Sequence, residues 1–195
     1  WTVDLSDASD RVSLWLVERL ARANKSFLEA LNASRSTYVK VPLKSGSTYL
    51  RMKKFAPQGS ATTFPLQSII YACVGIASII YADNRRVTPA SISAATNELL
   101  VFGDDTIIPA RAGEHYVRML TYLGFLVNYN KTFGTGKFRE SCGSEGYDGT
   151  DVTPAYFVTP FSESSPTSIA SVVECSNNFY KKGFWHTAAW AVSTL

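Results

Sequence analysis

No charged residue falls between Lys54 and Asp83, and within that gap "LQSIIYACVGIASIIYA", Leu66 to Ala82, runs for 17 residues without a charge. Such a segment has two physical outcomes. It spans a bilayer, for which 17 residues flanked by Lys53-Lys54 and Arg85-Arg86 is the lower limit. Or it is the central helix of a core, apolar all round because it is packed on every side. Gln58, Pro65, Gln67 and Ser68 crowd its start and weigh against the span. Either way a helix from about Thr63 to Ala82 is expected, and the other elements must be arranged around it.

Those elements read in a definite order. Residues 1–6 form a short strand, and residues 10–32 carry a helical period with Val12, Trp15, Leu16 and Leu20 on one side. Asp7, Ser9 and Asp10 sit where caps and first-turn acids belong. A hairpin is expected over 36–53, turning at Ser45-Gly46, then the loop "APQGSA" and the apolar helix. A second hairpin covers 98–109, a helix 112–123 ends at Gly124, and 125–133 reads as a strand. The turn-rich "RESCGSEGYDGTDVTP" suits further short hairpins, and the residues after Pro166 suit helices. Strands interleaved with helices fit an α+β layer arrangement.

Composition bounds the rest. With 195 residues, 46% of them hydrophobic, the chain can bury one sizeable core or one domain plus part of another. A formal charge of only +3 requires any nucleic-acid affinity to come from local patches. Cys73, Cys142 and Cys175 show no C-x-x-C pairing, which argues against a zinc site and a disulfide framework and suits a reducing compartment. There is no signal-peptide pattern. The start at Trp1 and the end inside "AWAVSTL" suggest a piece of a longer chain.

The chemistry-bearing stretch is "LLVFGDDTIIP", residues 99–109. Two carboxylates behind a glycine, with apolar runs on each side, read as strand, tight turn and strand. The plain reading is a hairpin turn with solvated aspartates. Asp4 supplies a partner: it ends an apolar pair where a strand would leave the core, too early to cap the following helix. If the first strand lies beside the hairpin, Asp4 and Asp104 project to one point. Two carboxylates that close repel unless a cation intervenes, and oxygen-only ligation selects magnesium or manganese. Gly103 suits a turn that a substrate backbone must approach, and Val101, Phe102, Ile107 and Ile108 would anchor the turn in the core.

The stretches "TVDLSDASDRVSL", "QGSATTFPLQSIIYA", "VFGDDTIIP" and "LGFLVNYNKTF…FRESCGSEGYDGTDVTPAYF" follow in the order of the A, B, C and D/E motifs of palm-domain polymerases. Over about residues 1–160 the chain resembles the replicase, an RNA-directed RNA polymerase, of the single-stranded RNA bacteriophages (leviviruses). The resemblance implies a polymerase palm, an antiparallel sheet with helices packed on one face, with part of the fingers and the start of the thumb. The domain map it implies is palm over 1–33 and 58–160, a fingers-like basic hairpin over 34–57, and a helical thumb start over 161–195. It also implies Asp4 and Asp104 as ligands of two Mg2+ ions (Mn2+ is the substitute), with Asp105 assisting. Asp10, Gly59, Thr63 and Gln67 would bind nucleotide, and Lys131 would protonate departing pyrophosphate. Implied partners are RNA template and product strand, ribonucleoside triphosphates and host translation elongation factors, with no membrane, in the cytoplasm of an infected bacterium. No aromatic wall follows the first strand to exclude a ribose 2′-hydroxyl, and the polar Asp7–Asp10 stretch favours ribonucleotides.

From Ser34 to Pro57 there are six basic residues and no acidic one. That is either a solvated hairpin or a phosphate-binding patch. Lys40, Lys53 and Lys54, together with Arg139, are the expected RNA contacts. The alternative to a polymerase is a non-catalytic membrane-associated or RNA-binding protein built around residues 66–82.

Overall fold

The computed structural model describes residues 1–55 and 59–195, which form two compact units, Trp1–Thr150 and Asp151–Leu195. The first contains strands β1 (Thr2–Val3) and β2 (Leu5–Ser6), then helices α1 (Ala8–Arg11), α2 (Leu14–Ala21) and α3 (Lys25–Ser34). The hairpin β3 (Tyr38–Leu43) and β4 (Gly46–Arg51) follows, then α4 (Thr63–Ala82) and α5 (Pro89–Thr96). After these come β5 (Leu100–Phe102), β6 (Asp105–Ile107), α6 (Ala110–Tyr122), β7 (Leu126–Val127), β8 (Phe138–Ser141) and β9 (Ser144–Tyr147). The second unit carries α7 (Thr167–Lys181) and α8 (Trp185–Ser193). The loop expected at "APQGSA" lies partly outside the described residues.

The apolar helix falls where its pattern places it, and it is the core. Leu66, Ile70, Tyr71, Val74, Ile79 and Ile80 of α4 are buried with Ala112, Tyr116 and Leu120 of α6 and with Val3, Leu5 and Val127 from the strands. Tyr71 meets Phe125 edge to face at 5.0 Å. Although α4 is long and apolar enough to cross a bilayer, 56% of its apolar window is buried inside the protein. Burial of that share of the window is what the core-helix reading expects.

Instead of one broad sheet, the fold is mixed α/β with several small antiparallel sheets. One has the order β1-β6-β5, another pairs β2 with β7, and the hairpins β3-β4 and β8-β9 stand as further ladders. β1 and β2 are consecutive but belong to different sheets, and Asp4 is the residue between them. The strand expected over 125–133 is regular only at Leu126–Val127, yet Thr2 and Phe133 exchange both backbone hydrogen bonds, at 3.0 and 2.9 Å.

The single helix expected over 10–32 is three. Val12 is extended, its carbonyl accepts from Phe55 N–H at 2.8 Å, and Leu14 N–H donates to the Lys53 carbonyl at 2.9 Å. That tertiary pairing interrupts the helix at 12–13. Ser13 then caps α2 by accepting from Leu16 N–H, and Asn24 caps α3 by accepting from Phe27 N–H. Helix α5 carries no apolar stripe to betray it. Its signal is the start, where Thr88 and Ser91 form a capping box around Pro89. The hairpin turn lies at Lys44-Ser45, one residue earlier than expected, because Leu43 pairs with Gly46.

Within the second unit, α7 and α8 pack on each other, Ser176 Oγ donates to the Ala188 carbonyl at 2.8 Å, and Val172, Cys175 and Ala191 are buried. All three cysteines are free thiols.

Candidate functional site

The acidic strand ends meet through backbone pairing. In the β1–β6 ladder Thr2 faces Ile107 and Val3 faces Thr106, so the chain reaches Asp4 as the partner strand reaches Asp105. β6 also pairs with β5, Phe102 opposite Asp105, and Gly103-Asp104 makes the turn between them. Residues a hundred positions apart thus arrive at one end of one small sheet. The Asp104 carboxyl is held above its ordinary pKa, first by partial burial and then by the negative charges of Asp105 and Asp4. Its own backbone N–H and the Lys131 ammonium oppose the shift.

The other two carboxylates are engaged. Asp4 Oδ2 accepts from Asn128 Nδ2 at 2.8 Å, and its backbone N–H donates to Thr132 Oγ1 at 3.2 Å. Asp105 Oδ2 accepts from the Cys142 thiol at 3.4 Å. Among the described residues no three His, Cys, Asp or Glu side chains are gathered at metal-holding distance.

Asp104 also lines a half-open cavity of about 410 Å³, together with Leu5, Asp7, Ala8, Ser9, Gly59, Ser60, Thr63, Phe64 and Gln67. Gly59, Thr63 and Gln67 are therefore brought to the same cleft as Asp104, with Thr63 and Gln67 themselves buried. Behind them Tyr71 is fully buried. Among the described residues its hydroxyl has no hydrogen bond of good geometry, and burial pushes its pKa up, Gln67 opposing and the Tyr116 and Asp104 charges adding. Asp10 is not on this wall; it is an exposed first-turn acid of α1. Asp7 holds the left-handed position before α1 at φ 51° without a side-chain cap, its nearest ion partner being Arg11 at 4.0 Å.

The glycine of the turn has a different immediate reason from the one expected. Gly103 has φ +62°, and a Cβ there would come within 2.6 Å of the Phe64 ring. Its N–H donates to Ser68 Oγ at 3.0 Å, and Phe64 meets Phe102 edge to face at 5.0 Å. The start of α4 is thereby fastened to the turn. Strand alternation also corrects the expected anchoring: Ile108 is buried and Val101 half-buried, whereas Phe102 and Ile107 are exposed.

Of the expected RNA contacts, Lys40 is exposed on β3, and Lys53 and Lys54 are exposed beside the Val12–Leu14 pairing. Arg139 donates from one guanidinium nitrogen to the carbonyls of Thr135, Gly136 and Phe138. Asn128, Thr132, Ser68 and Phe64 are site residues that sequence reasoning passed over. Their only signal was lying inside the quoted motifs.

Fold and cleft together define a mixed α/β protein in which Asp104, at an acidic sheet end, lines a polar, half-open cavity at the head of the core helix. The chain belongs to the family described as RNA replicase, beta-chain, which matches residues 1–173. It is 36% identical over 197 aligned positions to the RNA-directed RNA polymerase subunit beta of Escherichia virus Qbeta, covering 98% of this chain and 30% of that protein. It is 33% identical to the protein of the same description from Enterobacteria phage SP, with the same coverage. It is 36% identical over 160 positions to the RNA-directed RNA polymerase beta chain of Escherichia phage MS2, covering 82% of this chain and 26% of that one. The chain spans less than a third of the length of these relatives.

Proposed function

We propose that this chain forms the catalytic palm, with part of the fingers and the start of the thumb, of an RNA-directed RNA polymerase that extends an RNA 3′ end. One observation carries the reading: Asp4, Asp104 and Asp105 come to a single sheet end beside the cleft lined by Gly59, Thr63 and Gln67. The donors there are carboxylate oxygens, and Asp104 is raised first by partial burial and then by the charges of Asp105 and Asp4; oxygen-only donors suit a hard divalent cation, magnesium or manganese. Asp4 and Asp104 would hold two such ions, with Asp105 beside them. When bound, the ions would favour deprotonation of the attacking hydroxyl and neutralise charge on the departing phosphate oxygens.

The protein's own groups have separate tasks in this scheme. The RNA 3′-oxygen forms a bond to the α-phosphorus of a ribonucleoside triphosphate, and the bond from that phosphorus to pyrophosphate breaks. Lys131, within electrostatic reach of Asp104, supplies charge and a proton to the pyrophosphate. Gly59, Thr63 and Gln67 line the cleft that would take the nucleotide, and Asp10, on α1 and off that wall, would act toward the ribose. Template, product strand and triphosphates are the substrates, host translation elongation factors are partners, and the setting is the cytoplasm of an infected bacterium.

The test is Asp104→Asn in the complete replicase. Template-directed nucleotide addition is expected to vanish while circular dichroism stays that of the parent; retained turnover refutes the assignment.

A further inference from the structure

The β3-β4 hairpin has two unlike faces, both open. Its register sets Tyr38 opposite Arg51, Lys40 opposite Tyr49 and Pro42 opposite Ser47. The alternate pairs are Val39 with Leu50, Val41 with Thr48 and Leu43 with Gly46. Because side chains alternate across a strand, one face carries two tyrosines, each directly across from a cation, and the other is largely aliphatic. Tyr38 is 58% exposed and Tyr49 66%. Lys40, Lys44 and Arg51 take part in none of the ion pairs among the described residues.

We infer that the Tyr38–Lys40–Tyr49–Arg51 face binds single-stranded RNA, its bases stacking on the two tyrosines and its phosphates pairing with Lys40 and Arg51. Diagonal neighbours on such a ribbon lie roughly 7–8 Å apart. That is about twice the ~3.4 Å rise per nucleotide of a stacked strand, so the rings suit unstacked bases in a stretched strand. Aromatic faces accept any base, and cations across the strand from each ring track the backbone. A duplex keeps its bases stacked inside and offers no ring faces to these tyrosines. The complete lack of acidic residues from Ser34 to Pro57 gives the face the sign a polyanion needs. None of these four residues lines the carboxylate cleft, so the inference adds a contact to the polymerase reading and is tested apart from it.

The experiment uses the full chain in EDTA without nucleotide. A short single-stranded RNA bearing 5-iodouridine is photo-crosslinked to the unsubstituted protein and the adducts are mapped by mass spectrometry. Crosslinks at Tyr38 or Tyr49 are expected, and their absence from both overturns the proposal. In fluorescence anisotropy, Tyr38→Ala with Tyr49→Ala is expected to weaken single-strand binding about tenfold or more, while Tyr→Phe at both positions keeps it. Lys40→Ala with Arg51→Ala should flatten the salt dependence by roughly 1.4 in log–log slope. An unchanged affinity in the alanine pair, or an equal loss for duplex RNA, sinks the stacking face. Loss of a protein partner with RNA binding intact would assign the face to protein instead. Asp104→Asn must leave crosslinking intact, so failure here and failure of the polymerase reading are told apart.

Discussion

Asn128 donates from Nδ2 to Asp4 Oδ2 at 2.8 Å across a sequence separation of 124 residues, and its amide oxygen accepts from Asn130 N–H at 3.2 Å. Both ends of the amide are fixed, so the carboxylate it addresses is oriented. The backbone agrees: Asn128 N–H donates to the Asp4 carbonyl at 3.0 Å. The segment after β7 thus serves as a brace for the acid at the end of β1.

Removing that brace should show in the metal requirement. In the complete replicase, Asn128→Ala is expected to raise the magnesium concentration for half-maximal nucleotide addition by about 10–100-fold, the usual effect of losing a partner that orients a ligand. A magnesium titration of the rate checks this; an unshifted midpoint would show that Asp4 needs no orientation from Asn128.

Thr106 and Tyr116 share a buried hydroxyl–hydroxyl hydrogen bond of 2.8 Å between β6 and α6. Tyr116→Phe should cost about 1–3 kcal/mol, because the Thr106 hydroxyl is left buried and unpaired. Adding Thr106→Val should cost less than the sum of the two single changes. Urea unfolding of the three variants closes the cycle.

The Trp1 indole lies against two glycines. A Cβ on either Gly113 or Gly134 would overlap the ring. Gly134→Ala is therefore expected to destabilise by about 1–3 kcal/mol through overpacking. Thermal unfolding with tryptophan emission as the readout would register both the loss and the displaced ring.

Asp104 gives a pH signature. Its folded pKa is raised above the unfolded value of about 3.9, so between those two values the folded state binds more protons than the unfolded one. Stability must fall as pH rises through that window and remain lowered above it. In EDTA, Asp104→Asn is expected to melt above the parent at neutral pH, the gap closing below about pH 3.9. Magnesium should narrow or reverse the gap, since it stabilises only the chain that binds it. Melting curves across pH, with and without the ion, carry the test.

Much of this was legible in the chain. Helix α4 announced itself because twenty residues without a charge have few other fates, and it spans the expected Thr63–Ala82. The Gly103-Asp104 turn was readable because the apolar runs on each side leave the polar pair nowhere else to go. The interruption at Val12–Ser13 was not readable, since it is made by hydrogen bonds to the Lys53 carbonyl and from the Phe55 N–H, forty residues on. Nor was Asn128: an asparagine among turn residues looks the same whether it braces an acid or meets water.

Local pattern, then, determined where the apolar core helix runs, where turns fall to within a residue and which family the motifs resemble, because side-chain period and turn chemistry act over a few neighbouring residues. Tertiary structure alone decided that Asp4 arrives beside Asp104 and Asp105, and that Asn128 reaches Asp4. It also decided that Gly103 must spare room for Phe64 and that two tyrosines share a face with two cations. Those relations rest on strand register and packing between distant segments, and backbone hydrogen bonds, identical at every residue, leave no mark of their partners in the sequence.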